Sequence, residues 1–184
     1  MILSYIYIKD IEKSPRREAR QLQSRAARRL LEDMLDFCGI AEREVARDDK
    51  GRPYLVDRPD VDFNISHADN IAVCVLSLGE GRVGVDVEKI DHGMTEERLE
   101  RFAKRFFLYN IPTNARELTK KWTAKEAYLK YLGVGLTSGI YSVTPEDDEK
   151  VRIEQMEIGD CCLSVCLGKD KSLSVVYPIN RGRE

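Results

Sequence analysis

Two short stretches carry acidic and basic side chains at spacings that suit chemistry on phosphates. In "WTAKEAYLK" (122–130), helical spacing puts Trp122, Lys125 and Glu126 on one side, together with Leu129. The tryptophan and the leucine mark that side as the buried one. A buried charge is costly unless it is paired or coordinates an ion. The stretch therefore predicts that the lysine and the glutamate meet a partner inside the fold.

The second stretch, "VGVDVE" (83–88), has the alternation of a strand. Its three valines point one way, while Gly84, Asp86 and Glu88 point the other. The two carboxylates lie about 7 Å apart along such a strand, so they repel each other unless a cation lies between them or water screens them. A half-exposed strand with a polar face is an equally good interpretation of this stretch alone.

A third carboxylate, from Glu126, could complete an oxygen site with Asp86 and Glu88. Mg²⁺ prefers oxygen ligands and often shares its shell with substrate phosphates. Lys125 could then neutralise a phosphate, and Lys130 could do the same or protonate a leaving group. The alternative is that Glu126 and Lys130 form a solvated helix ion pair, worth about 0.3–0.5 kcal/mol.

Further basic and polar residues lie on a loop, at a strand end and on a helix. Lys50 and Arg52 lie in the loop "DKGRPY" (49–54), and Ser66 and His67 end the strand in "FNISHADN". His67 could contact a phosphate, act as a base or cap a turn. The first helix carries a run of arginines, which is usually a solvated face but could hold a phosphorylated ligand or nucleic acid. These arginines are Arg16, Arg17, Arg20, Arg25, Arg28 and Arg29.

The pattern of elements predicts an α/β (α+β) fold with two similar halves. Strand-like runs cover 2–8, 61–66 and 71–78 in the first half, and 83–90, 140–144, 151–157, 161–167 and 172–177 in the second. Ser14-Pro15 should begin a helix that runs to Phe37 with Leu22, Ala26, Leu30 and Met34 in its apolar stripe, and 44–60 should be a loop. Helices are expected at 95–108 and 114–131, the second ended by Gly133.

The break "GEGR" (79–82) predicts an N-terminal half at 1–82 with phosphate contacts and a C-terminal half at 83–184 with the metal ligands.

Composition limits the classes of function. The chain has 184 residues, 34% of them charged, and a net charge of −2, which disfavours nucleic acid as a partner. Its five cysteines are odd in number and form no Cys-x-x-Cys pair, so we expect reduced thiols and a cytoplasmic location. The N-terminal run reads as a strand and not as a signal peptide, and no apolar run is long enough to span a bilayer, so no membrane partner is expected.

Taken together, the stretches resemble those of the Sfp-type 4′-phosphopantetheinyl transferases. The first motif of that family resembles "GRPYLVDRPDVDFNISHADNIAVCV", the second "VGVDVEKI", and the third "RFAKRFF" followed by "WTAKEAYLKYLGVGL". The three motifs occur in the family's order and together span about residues 49–144.

The resemblance implies a reaction, a fold and a set of roles. The enzyme would move the phosphopantetheine arm of coenzyme A onto a serine of an apo acyl or peptidyl carrier protein, releasing adenosine 3′,5′-bisphosphate. The fold would be two α/β halves related by a pseudo-twofold, with coenzyme A between them and no need for a partner subunit, so we expect a monomer. The motifs imply Asp86, Glu88 and Glu126 as Mg²⁺ ligands, and Glu126, Lys125 and Lys130 as catalytic residues. Coenzyme A would be bound by Lys50, Arg52, Ser66, His67 and one of Arg25, Arg28 and Arg29.

Two other functions are compatible with the same residues. A Mg²⁺-dependent phosphoanhydride hydrolase would use the three carboxylates without a carrier protein. A non-catalytic module would bind a carrier protein without transfer, although the complete acid set argues against it.

Overall fold

The computed structural model describes residues 1–9, 11–107, 109–134 and 144–176. The first half of the chain forms β1 (Ile2–Tyr7), α1 (Arg16–Phe37), β2 (Val45–Arg47), β3 (Pro53–Leu55), β4 (Val61–Ala68) and β5 (Ile71–Leu78). The second half forms β6 (Val83–Lys89), α2 (Glu96–Phe106), α3 (Ala115–Leu132), β7 (Val151–Ile158), β8 (Cys161–Gly168) and β9 (Ser174–Val175). Single 3₁₀ turns lie at Ile11–Lys13 and Pro145–Asp147.

Two sheets built on the same strand order form the centre of the molecule. The first has the order β4-β5-β1-β9 and the second the order β6-β8-β7. In each half the opening strand, β1 or β6, pairs antiparallel with the second strand of a later hairpin, β5 or β8. The α/β class predicted from the sequence is therefore confirmed. The division at 82/83 and the pseudo-twofold remain predictions.

One apolar core lies between the two sheets. Leu3, Val73 and Val75 from the first sheet pack against the inward-facing side chains of the second, all of them fully buried. The second sheet contributes Val83, Val85, Val87, Leu163, Val165 and Leu167. The strict alternation of valines in β6 places its other face away from this core, as the sequence predicts.

Each sheet carries a helix on its outer face. Leu30 and Met34 of α1 pack against Phe63 of β4 and other side chains of the first sheet. On the second sheet, Ala127 of α3 packs against Cys166 of β8. The two helices thus flank the paired sheets, and α3 covers the face of β6 that carries the carboxylates.

Some elements differ from the sequence predictions. Pro15, not Ser14, is the N-cap of α1, and no side chain caps this end. The buried stripe of α1 consists of Ala27, Leu30, Leu31, Met34 and Leu35. Leu22 and Ala26 are only half-buried, because the sheet meets the C-terminal part of the helix.

The other differences from the sequence predictions lie in short strands. The predicted loop at 44–60 contains the antiparallel pair β2 and β3, whose strands of three residues are too short to show a period. The strand predicted at 172–177 is described as far as Val176; of this part, Ser174 and Val175 form β9, parallel to β1, and residue 177 lies outside the described residues. The strand predicted at 140–144 lies, except for Thr144, outside the described residues. Within the described ranges, no helix combines the length and apolarity needed to cross a membrane.

Candidate active site

An open cleft of about 500 Å³ lies between the two halves of the chain. Ser24 and Ala27 of α1, the loop at 47–53 and the end of β4 line one side. The outer face of β6 and the C-terminal half of α3 line the other. The charged residues of the second wall are Asp86, Glu88, Glu126 and Lys130.

Gly84 allows α3 to lie directly on β6. A Cβ atom at this position would lie 2.1 Å from the carbonyl oxygen of Ala127 and 2.6 Å from the amide nitrogen of Tyr131. Any side chain would therefore push the helix away from the strand. This close approach brings Glu126 and Lys130 to Asp86, two residues further along the strand.

Asp86 is the centre of the polar contacts in the cleft, with only 2% of its surface exposed. Its Oδ1 accepts hydrogen bonds from the Lys130 ammonium at 2.7 Å and from the Ser66 hydroxyl at 2.8 Å. Lys130 also donates to the Val85 carbonyl at 3.0 Å and to the Ser66 hydroxyl at 3.2 Å. The other oxygen, Oδ2, is buried and has no hydrogen-bond partner among the residues that the structure describes.

The two glutamates of the cleft titrate far above their ordinary range. Burial raises the pKa of Glu126 to about 7, and the charge of Asp86 adds to the effect, while Lys130 opposes it. A hydrogen bond with the Trp122 side chain also opposes the rise. Burial, followed by the charge of Asp86, likewise raises the pKa of Glu88 to about 7. The negative charges of the cleft carboxylates therefore repel one another, and a bound cation would relieve this repulsion.

The donor set fits a hard divalent cation that keeps part of its water shell. Among the described residues, no three His, Cys, Asp or Glu side chains converge closely enough to form a ready-made cage. However, Oδ2 of Asp86 is buried without a hydrogen-bond partner among the described residues, and the charges of Asp86 and Glu88 both raise the pKa of Glu126, so this set of oxygen donors fits such a cation. A site with few protein ligands and several waters is typical of Mg²⁺.

Two residues of β4, which the sequence analysis did not assign to the site, hold the edge of β6. The Asn64 side-chain oxygen accepts a hydrogen bond from the Val85 amide at 3.0 Å. The Asp62 carboxylate accepts one from the Val83 amide at 2.8 Å. These side chains satisfy amides that β6 does not use within its own sheet. The sequence does contain a pattern that could have indicated this role, because polar residues occupy every second position of β4 up to Ser66.

Lys125 lies away from the cleft, although it was predicted to neutralise a phosphate there. Its ammonium donates to the Phe106 carbonyl at 2.6 Å, at the C-terminal end of α2, and lies over the Phe107 ring. Burial lowers the pKa of Lys125. The helical period correctly predicted that Lys125 is buried, but the partner is a helix end, where a cation is favourable.

The basic residues predicted to bind coenzyme A fall into two groups. Lys50 is exposed at the rim of the cleft, beside Arg47, which the sequence analysis did not assign. Arg52 also reaches the cleft, but its guanidinium is engaged with Asp62 at 2.6 Å and with the Val83 carbonyl at 2.9 Å. The loop is shaped by Asp48, whose carboxylate accepts hydrogen bonds from the amides of Lys50 and Arg52.

His67 lies in the cleft, whereas the candidate arginines of α1 lie outside its lining. The His67 ring lines the cleft and is exposed to solvent on one side, and its partial desolvation lowers its pKa. Arg25, Arg28 and Arg29 are all exposed, and none of them lines the cleft. Arg28 follows the cleft-lining Ser24 by four residues, so the two share one face of the helix.

Comparison with known proteins shows the family to which the chain belongs. Residues 82–176 match the model of the 4′-phosphopantetheinyl transferase superfamily. A 4′-phosphopantetheinyl transferase of Bacillus subtilis is 34% identical over 118 residues, 56% of this chain and 48% of the relative. A putative 4′-phosphopantetheinyl transferase of Synechocystis sp. is 32% identical over 148 residues, 73% of this chain and 57% of the relative. Sfp of Bacillus subtilis is 31% identical over 118 residues, again 56% of this chain and 48% of the relative.

The chain belongs to the 4′-phosphopantetheinyl transferase superfamily, since the family match covers more than half of it. The resemblance to the Sfp type, predicted from three motifs, is confirmed. The chain spans about half the length of the relatives it matches.

Proposed function

We propose that this protein transfers the 4′-phosphopantetheine arm of coenzyme A to a serine of an apo acyl or peptidyl carrier protein. Membership of the superfamily and the names of its relatives support this reaction. The single observation that carries it is the cleft between the halves, in which the carboxyl groups of Glu88 and Glu126 and the ammonium of Lys130 lie around the buried Asp86.

Glu126 is the proposed general base. The serine hydroxyl of the carrier attacks the β-phosphorus of coenzyme A, forming the new phosphoester and breaking the bond to the bridging oxygen. The serine proton must leave during this step, either directly to the Glu126 carboxylate or through one water. A pKa of about 7 for Glu126 suits a base that works near neutral pH.

Lys130 is the proposed electrostatic stabiliser of the leaving phosphate. Its ammonium lies 2.7 Å from Asp86, at the wall of the cleft, and is only 28% exposed. Charge builds up on the bridging oxygen as the phosphoanhydride bond breaks, and a preorganised ammonium lowers the energy of that state. Removal of this amine should therefore reduce the turnover number more than the affinity for coenzyme A.

Asp86, Glu88 and Glu126 are the proposed ligands of a divalent cation, for which Mg²⁺ is the first candidate. When bound, such an ion polarises phosphoryl oxygens and offsets their charge. Two of these carboxylates lie on strand β6 and the third lies on helix α3. Their relative positions are therefore set by the fold before the substrate binds.

The rim of the cleft is the proposed site of the nucleotide phosphates. Lys50 and His67 line the cleft and are exposed. Among the three candidate arginines of α1, all of them exposed, we favour Arg28 because it shares a helix face with the cleft-lining Ser24. Walls from both halves of one chain form the cleft, so we infer that a monomer suffices.

Product analysis separates this function from its rivals. We would incubate the protein with coenzyme A and Mg²⁺, with and without an apo carrier protein, and follow adenosine 3′,5′-bisphosphate by chromatography. A transferase releases it only when the carrier is present. Release without a carrier would favour the hydrolase, and carrier binding without any release would favour the binding module.

A further inference from the structure

The Arg52 guanidinium joins three elements at the back of the cleft. It donates to the Asp62 carboxylate of β4 at 2.6 Å, to the Val83 carbonyl of β6 at 2.9 Å, and to the Lys130 carbonyl in the last turns of α3. The Asp62 oxygen that receives this bond also accepts the Val83 amide at 2.8 Å. Only 9% of the Arg52 side chain and 22% of the Asp62 side chain are exposed.

The chemistry of these contacts favours a fixed arrangement. A planar guanidinium offers several donors in a rigid fork, whereas the single ammonium of a lysine cannot reach acceptors on three elements at once. The carbonyl groups at the C-terminal end of a helix carry partial negative charge, so a cation there stabilises the helix end. Arg52 therefore links α3 to Val83, the first residue of β6, through hydrogen bonds that are largely shielded from water.

The fastened residue is the one that matters for the proposed chemistry. Arg52 holds the main chain of Lys130, while the side chain of Lys130 contacts Asp86 at 2.7 Å. Glu126 lies one helical turn earlier on the same helix. A sliding or rotation of α3 on β6 would move both side chains relative to Asp86.

We propose that Arg52 and Asp62 are positioning residues that set the register of α3 on β6, and thereby the placement of Lys130 and Glu126 against Asp86. This inference rests on the proposed transferase function. It gives Arg52 a different role from the coenzyme A contact that the motif resemblance implies, because the donors of the guanidinium are turned to protein acceptors.

The test compares Arg52→Lys and Asp62→Asn with matched controls from the same segment. Arg58 and Asp60 form an exposed ion pair with two hydrogen bonds, at 2.9 and 2.8 Å, and among the described residues this pair makes no hydrogen bond to β6 or α3. We call the contacts of Arg52 and Asp62 with β6 and α3 the clamp. Arg58→Lys and Asp60→Asn make the same chemical changes outside the clamp, and should leave transfer unchanged. Turnover number and KM for coenzyme A are measured with saturating apo carrier protein and Mg²⁺.

We expect Arg52→Lys and Asp62→Asn each to lower kcat on the order of 10- to 100-fold, since a misplacement of about 1 Å has effects of that size. The KM for coenzyme A should change by less than about threefold, as expected when binding is preserved. The double variant should be no slower than the slower single variant, because the two residues act as one unit. A direct ligand contact would instead raise KM in Arg52→Lys alone with kcat intact, and that result would overturn the proposal.

Hydrogen exchange gives a second readout that does not depend on turnover. The Val83 amide and the amides of residues 129–134 should exchange faster in both clamp variants than in the wild type and in the Arg58→Lys control. Unchanged exchange at these amides would refute the clamp even if transfer were slowed. If the wild-type protein transferred nothing, the proposed function would fail while the exchange measurement would still decide whether Arg52 fastens α3.

Discussion

Asp86 divides its two carboxylate oxygens between different tasks. One oxygen accepts hydrogen bonds from Lys130 and Ser66, and the other is buried without a partner in the described part of the chain. A buried acceptor that makes no hydrogen bond costs about 1–3 kcal/mol, so such an atom calls for a ligand. Among the carboxylates of the cleft, Asp86 is therefore the one whose loss should damage metal binding most directly.

Removal of either central carboxylate should abolish transfer without unfolding the protein. We expect Asp86→Ala and Glu126→Ala to reduce kcat by on the order of 10²–10³ or more, the size of effect seen when one preorganised electrostatic group is removed. Circular dichroism would check the fold, and a carrier-modification assay would measure the rate. Wild-type activity in either variant under saturating Mg²⁺ would contradict the assignment of the site.

Metal binding should depend strongly on pH near neutrality. Glu88 and Glu126 have pKa values of about 7, and a carboxyl group must lose its proton before it can coordinate a cation. Because these groups bind protons more tightly in the folded protein than in the unfolded chain, they destabilise the metal-free protein as the pH rises from about 4.5 to about 7. Mg²⁺ should offset this loss only when both are ionised.

The measurement is the shift in melting temperature on adding saturating Mg²⁺. We expect a larger upward shift at about pH 8 than at about pH 6. In Glu126→Gln, which removes one of the titrating groups, the dependence should be weaker. A shift of the same size at both pH values in the wild-type protein would argue against these two glutamates as ligands.

At the level of elements, the contact between α3 and β6 determines the geometry of the site. Gly84 provides the space for it, and the side chains of Asp62 and Asn64 satisfy the outer edge of β6. The helix ends at Gly133, which adopts a left-handed conformation with φ of 69°. The carboxylates and Lys130 are thus carried by two elements whose backbones approach closely at Gly84.

Gly84→Ala should therefore damage both stability and activity. The added Cβ would meet helix backbone at 2.1 Å, which cannot rotate away as a side chain can. We expect a loss of about 3 kcal/mol in the free energy of unfolding, and a lower kcat because Glu126 and Lys130 move away from Asp86. Denaturant titration measures the first effect and the transfer assay the second.

Gly93→Ala is the matched control for that experiment. Gly93 has no unusual φ, and the nearest atom to an added Cβ would lie 3.6 Å away, at ordinary contact distance. The free energy of unfolding of the Gly93→Ala variant should stay within about 1 kcal/mol of that of the wild type, because the substitution removes only the backbone flexibility of the glycine. If both variants behaved alike, close packing on Gly84 would not be the feature that matters.

The sequence predicted these elements well where a period was long enough to read. The alternation in 83–88 grouped Asp86 with Glu88, and the helical period placed Glu126 on the buried side. The partner of Lys125 could not be predicted, because a period gives the side of a helix and not the element packed on it. The roles of Asp62 and Asn64 depend on which strand lies beside β6, and that is a property of the tertiary fold.

For the whole molecule, the shared core means that the two halves depend on each other. The valines of β6 pack against Leu3, Val73 and Val75 of the first sheet, and β9 returns to pair with β1. The repeated order of strands was suggested by the sequence of predicted elements. The shared core could not be predicted from the sequence, because each half considered alone offers only one apolar sheet face.

Unfolding should therefore be a single event for both halves. Cys74 of the first sheet and Cys166 of the second are fully buried free thiols, so each reacts with an alkylating reagent only when its own region opens. We expect the two to become reactive with the same midpoint of denaturant, measured by peptide mass spectrometry. Separate midpoints would indicate halves that unfold independently.

We expect the cleft to carry out metal-dependent phosphopantetheinyl transfer. The most direct test is the intact mass of an apo acyl carrier protein after incubation with this protein, coenzyme A and Mg²⁺, beside a sample containing EDTA. The proposed mechanism predicts a gain of one phosphopantetheine mass that is lost with EDTA. No gain on any of several acyl and peptidyl carrier proteins would contradict it.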